Sequence, residues 1–107
     1  MSSFDDREKG FEAKFARDQD SEFRVSARRN RLLGEWAGKL MGLEDENLDN
    51  YAKAVVKSDF EQPGDEDVFR KVFGDVSGAG LSTSEGEVRR KMDELMAEAR
   101  EQIRNAG

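Results

Sequence analysis

Hydrophobic residues recur along this chain with a period near 3.6 and nowhere with a period of 2, which predicts helices and no strands. At about 100° per residue, Phe4, Phe11, Phe15, Val25, Leu32, Leu33, Trp36, Leu40 and Leu43 fall within roughly a 100° arc. The stripe is sparse before Val25 and dense after it, and Gly10 interrupts the first part at a cost of about 1 kcal/mol relative to Ala. The spacing therefore predicts an arm over residues 1–20, then a core helix over Glu22–Met41 that Gly42 ends in the left-handed conformation. Gly34 and Gly38 have close-packing spacing, but on the same angular reading both project opposite the stripe, towards solvent.

A second helix is expected from Leu48, Tyr51, Ala52, Val55, Val56 and Phe60, with Asp45 or Asn47 as cap and Pro63-Gly64 as its end. Asp65 is the cap candidate for a short third helix bearing Val68, Phe69, Val72, Phe73 and Val76. After the small-residue run Ser77–Gly80, both Ser82-x-x-Glu85 and Ser84-x-x-Glu87 match a capping box for a fourth helix, which carries Val88, Met92, Leu95, Met96, Ala99 and Ile103. Four amphipathic helices with short links predict an all-α, four-helix bundle over 21–107, with the arm partly disordered or helical. Trp36, Tyr51, Phe60, Phe69 and Phe73 are expected to fill its centre.

Composition narrows the chemistry. Charged residues make up 39% of 107 and hydrophobic ones 36%, enough for one modest core. Cysteine and histidine are both absent, which removes thiolate chemistry, the commonest general base and metal ligand, and the ordinary pH switch near neutrality. Carboxylate pairs such as Asp5/Asp6, Glu44/Glu46 and Asp65/Asp67 read as solvated helix N-termini, and Asp65–Phe69 lacks the ligand alternation of a calcium loop. The sequence thus predicts no enzyme, no metal and no cofactor.

The net charge of −6 is unevenly spread: residues 1–31 hold eight Lys/Arg against seven Asp/Glu, and residues 44–67 hold two against nine. Such an acidic middle argues against nucleic acid. No apolar run is long enough to insert in a bilayer, and the start lacks a secretory pattern, so a cytoplasmic protein, monomeric when free, is expected. Arg28, Arg29 and Arg31 could grip a phosphate or an acidic protein surface, or pair with carboxylates of their own chain. Phe4, Phe11 and Phe15 could cap the bundle core or anchor in the groove of a partner, and the physics alone leaves both open.

Four stretches carry a resemblance: Phe4-Asp-Asp-Arg-Glu-Lys, Phe11-Glu-Ala-Lys-Phe-Ala, Ala27-Arg-Arg-Asn-Arg-Leu-Leu-Gly-Glu-Trp-Ala and Pro63-Gly-Asp-Glu-Asp-Val-Phe-Arg-Lys-Val. In that order, over nearly the whole chain, they resemble the ATPase inhibitor subunit zeta family of alphaproteobacteria. The resemblance implies a four-helix bundle whose N-terminal segment enters a catalytic interface between the alpha and beta subunits of the F1 motor of ATP synthase, with gamma as a further contact, and blocks ATP hydrolysis. Carried onto this sequence, the inhibitory positions are Phe4, Asp5, Asp6, Arg7, Glu8, Phe11, Glu12, Lys14 and Phe15. The rival expectation is a small bundle that senses nucleotide or another phosphate ligand through Arg28, Arg29 or nearby basic residues.

Overall fold

Short links between amphipathic segments force antiparallel neighbours, and the computed structural model is built in that way. It describes the backbone of residues 3–61 and 64–106 and the side chains of residues 22–59 and 64–105. Among the described residues there are four helices and no strand: α1 (Ser3–Leu40), α2 (Asp45–Glu61), α3 (Asp65–Gly78) and α4 (Glu85–Ala106).

The dense part of the α1 stripe touches all three other helices, α3 lies against both α2 and α4, and α2 and α4 make no direct contact among the described residues. Leu33 and Ala37 from α1, Val55 from α2, Val68, Phe69, Val72 and Val76 from α3, and Val88, Met92 and Leu95 from α4 form one buried cluster. Valines and leucines make up most of it. Trp36, Tyr51 and Phe73, expected at the centre, are instead half-buried and packed against its edge. Phe69 alone of the expected aromatics with described side chains is fully buried, stacked on Phe73 with ring centroids 5.5 Å apart; Phe60 lies outside the described side chains. Leu40, on the stripe by angle, is 41% exposed at the last residue of α1.

Gly34 and Gly38 correct the sequence reading most sharply, since both are buried rather than exposed. A Cβ built on Gly34 would stand 2.7 Å from the Ala52 Cα, and one on Gly38 would stand 2.6 Å from a Leu48 methyl. The two glycines form the slot into which α2 packs. An angular projection measures only the hydrophobicity of side chains, and a glycine that is buried by having none is invisible to it.

The helix ends follow local rules. Gly42 takes φ +83°, and the amides of Gly42 and Leu43 donate to the carbonyls of Lys39 and Gly38, the paired bonds that stop α1 and satisfy its last acceptors. At the start of α4, Ser84 rather than Ser82 is the cap: its Oγ accepts the Glu87 amide at 3.2 Å and donates to the Glu87 carboxylate at 3.4 Å. Replacing Ser84 with Ala should therefore lower stability by about 1 kcal/mol, read from urea unfolding, whereas Ser82→Ala should change it little. Asp65 does not cap α3, because Gly64 holds the cap position without a side chain, and the Asp65 carboxylate is turned to Arg29 instead.

Candidate functional site

Phe4, Asp5, Asp6, Arg7, Glu8, Phe11, Glu12, Lys14 and Phe15 belong to the N-terminal part of α1, outside the residues whose side chains are described. The described surface that follows them begins at Glu22 and contains the basic cluster singled out from the sequence.

The three arginines have three different environments, because consecutive positions on a helix point about 100° apart. Arg29 is 2% exposed and faces inwards; its Nη2 donates to Asp65 at 2.8 Å and its Nε to the Asn30 side-chain oxygen at 2.7 Å. A guanidinium so deep is tolerable only when paired and hydrogen-bonded. Asn30, wholly buried, passes the network on: its amide nitrogen donates to Asp59 at 3.0 Å, and the other Asp59 oxygen accepts the Gly64 amide at 3.2 Å. Arg29 and Asn30 thus tie the end of α2 and the start of α3 to α1.

Arg31 lies half-buried between α1 and α2, donating to Asp49 at 2.5 Å and lying 3.2 Å from Glu35. The Asp49 hydrogen bond holds the guanidinium pKa above its usual value; the same bond, joined by one from Lys53, holds the Asp49 carboxyl below the usual range. Arg28 is exposed, with its Nε donating to Gln102 of α4 at 2.6 Å. The structure therefore separates the run: Arg29 and Arg31 hold carboxylates of their own chain, and Arg28 stays on the surface.

Between α2 and the end of α4, floored by α1, lies an open groove of about 660 Å³. Its apolar surface comes from Phe23, Ala27, Val56 and Ile103, and basic side chains, among them Arg28, Lys53 and Lys57, border it. The groove lies where α2 and α4, which make no direct contact among the described residues, flank α1. Phe23 is 54% exposed at the rim of this groove. The sequence reading missed this groove, treating Val56 and Ile103 as core and leaving Phe23 off the stripe. That unassigned aromatic was the one signal that could have found it.

Glu66 resembles Asp49 in being held below the usual carboxylate range, here by hydrogen bonds from Arg89, which also lies 3.8 Å over the Phe69 ring. Tyr51 moves the other way: burial first, and then its 2.8 Å hydrogen bond to Asp75, push the phenol well above its usual value and keep it protonated. Asp49 and Glu66 are thus held ionised by the cations beside them, and the Tyr51 phenol is held protonated against Asp75. Among the described residues no three His, Cys, Asp or Glu side chains converge as a metal site requires, and no helix is long and apolar enough to cross a membrane.

The sequence model of the family ATPase inhibitor subunit zeta matches residues 1–102. A solved structure described as a solution NMR structure is 43% identical in sequence, with a TM-score of 0.70 over 80% of this chain and 98% of the other. No curated protein matches the chain.

Proposed function

The chain belongs to the ATPase inhibitor subunit zeta family, and we propose that it blocks ATP hydrolysis by the F1 motor of ATP synthase, residues 1–20 acting as the inhibitory arm and the bundle over 21–107 as its handle. An inhibitor subunit is a non-catalytic regulator that associates with ATP synthase, which agrees with the absence of histidine and cysteine from the chain. The arm enters a catalytic interface between alpha and beta, with gamma as a further contact, and halts the motor by filling the cleft. It does so on the cytoplasmic side, as a monomer before it binds.

The observation that supports this reading is the stripe of Phe4, Phe11 and Phe15 on a segment that the family model covers from its first residue. Each phenylalanine could contribute roughly 1.5–3 kcal/mol when buried in a partner, before ordering costs. Arg29 and Arg31 already hold carboxylates, which leaves Arg28 alone of the three arginines to the nucleotide-sensing alternative.

Adding the purified chain to F1 should lower ATP hydrolysis to a saturable floor. Phe11→Ser should weaken the inhibition by about 1–3 kcal/mol, some 5- to 150-fold in apparent affinity, mainly through faster dissociation. Unchanged potency would remove Phe11 from the anchor set.

A further inference from the structure

We propose that the end of α4 is a brace that sets the direction in which α1 leaves the bundle, with Glu22, Arg28, Arg100 and Gln102 as positioning residues for the inhibitory arm. This brace presupposes the inhibitory reading above and concerns how the arm is aimed, not what it meets in the motor.

Two polar links cross from α1 to α4. The Nη1 and Nη2 groups of Arg100 donate to different oxygens of the Glu22 carboxylate, the second at 3.3 Å, and such a two-pronged pair fixes orientation as well as distance. Arg28 Nε donates to Gln102 Oε1 at 2.6 Å, and Gln102 Nε2 donates in turn to Glu98 at 3.1 Å, so Gln102 is steadied from its own helix. At about 100° per residue, Glu22 and Arg28 lie about 60° to either side of Val25, which is buried. By the same projection Ala99, also buried, lies between Arg100 and Gln102 on α4. The links therefore clasp the contact between the two helices from opposite sides, about 9 Å apart along α1. One link would act as a hinge; two separated links resist a pivot.

The lever beyond them is long. α1 runs unbroken as a helix from Ser3 to Leu40, and at 1.5 Å per residue position 4 stands about 27 Å beyond Glu22. A pivot of about 10° at Glu22 would displace that end by about 5 Å, the length of one helical turn. An arm that must enter a cleft gains from being aimed beforehand, because a free arm has to lose its wrong headings before contacts can form. The stability at stake in the Glu22–Arg100 pair is small, since both side chains are about half exposed to water. Its weight falls on the far end of the lever.

The bundle contains a matched control. Arg89 of α4 makes a two-pronged pair with Glu66 of α3, similarly exposed, which does not involve α1.

The test follows the onset and release of inhibition with the full chain and F1. Glu22→Arg sets two guanidinium groups face to face and should slow onset roughly three- to tenfold, with release on dilution within about twofold of wild type, because the seated arm keeps the same contacts. Arg100→Glu should do the same, and adding Gln102→Leu to it should slow onset further. Glu22→Arg combined with Arg100→Glu rebuilds the pair with its ends exchanged and should bring onset back to within about twofold of wild type. Glu66→Arg should lower the melting temperature about as much as Glu22→Arg while leaving onset within about twofold. If the exchanged pair stays as slow as the single variants, Glu22 or Arg100 meets the motor directly and the brace falls. If Glu66→Arg slows onset as much as Glu22→Arg, the loss is one of general stability and the brace falls. If Glu22→Arg and Arg100→Glu both inhibit at the wild-type rate while Phe11→Ser does not, the brace falls and the arm reading stands; if the wild-type chain fails to inhibit, both fall.

Discussion

Deleting Met1–Lys14 should abolish inhibition of ATP hydrolysis while shifting the melting temperature by no more than about 5 °C. Leu33 and Ala37 hold α1 against the valines of α2 and α3, and the Arg29–Asn30 network ties down the start of α3. None of these contacts involves the deleted residues. Phe4 and Phe11, by contrast, would lose their place in the partner, and the two together could contribute several kcal/mol of binding. Melting followed by circular dichroism and hydrolysis measured on the same samples separate the possibilities. Full potency after truncation would put the inhibitory element elsewhere, and unfolding would make the arm part of the core.

The second large effect is on stability and comes from adding a single methyl group. Gly34→Ala should destabilise the bundle by about 2 kcal/mol, lowering the melting temperature by roughly 10 °C. Helix propensity argues the opposite, because Ala is favoured over Gly inside a helix by about 1 kcal/mol. At this site the new Cβ would meet the Ala52 backbone at 2.7 Å and the Val55 methyl at 3.2 Å, and a backbone atom in a packed helix cannot turn aside as a flexible side chain can. The slot between α1 and α2 must widen, which loosens Val55 and its neighbours. Gly74→Ala provides the matched control: that glycine also lies within a helix, but nothing stands within 4 Å of its added Cβ. It should stabilise by about 1 kcal/mol. If both substitutions stabilise, the close approach of α1 and α2 is wrong.

Helix number, the order of the helices and most of their ends were legible in the sequence, because they depend on local chemistry: a 3.6-residue repeat, a glycine that accepts positive φ at position 42, and a serine three residues before a glutamate at position 84. The absence of histidine and cysteine and the likeness to the inhibitor family were equally readable along the chain. Only the tertiary structure decided what depends on distances between helices. Gly34 and Gly38 are buried because α2 comes close enough to use the missing side chains. Trp36 stays at the edge, and valines and leucines fill most of the centre. Arg29, Arg28 and Arg31, nearly adjacent in sequence, part into a buried guanidinium paired with an exposed carboxylate, a surface cation and an interhelical bridge, since 100° per residue sends each towards a different neighbour. Phe23, Val56 and Ile103 come from three helices, and no periodicity within one helix could show that they border one groove, because a groove depends on how separate helices are placed.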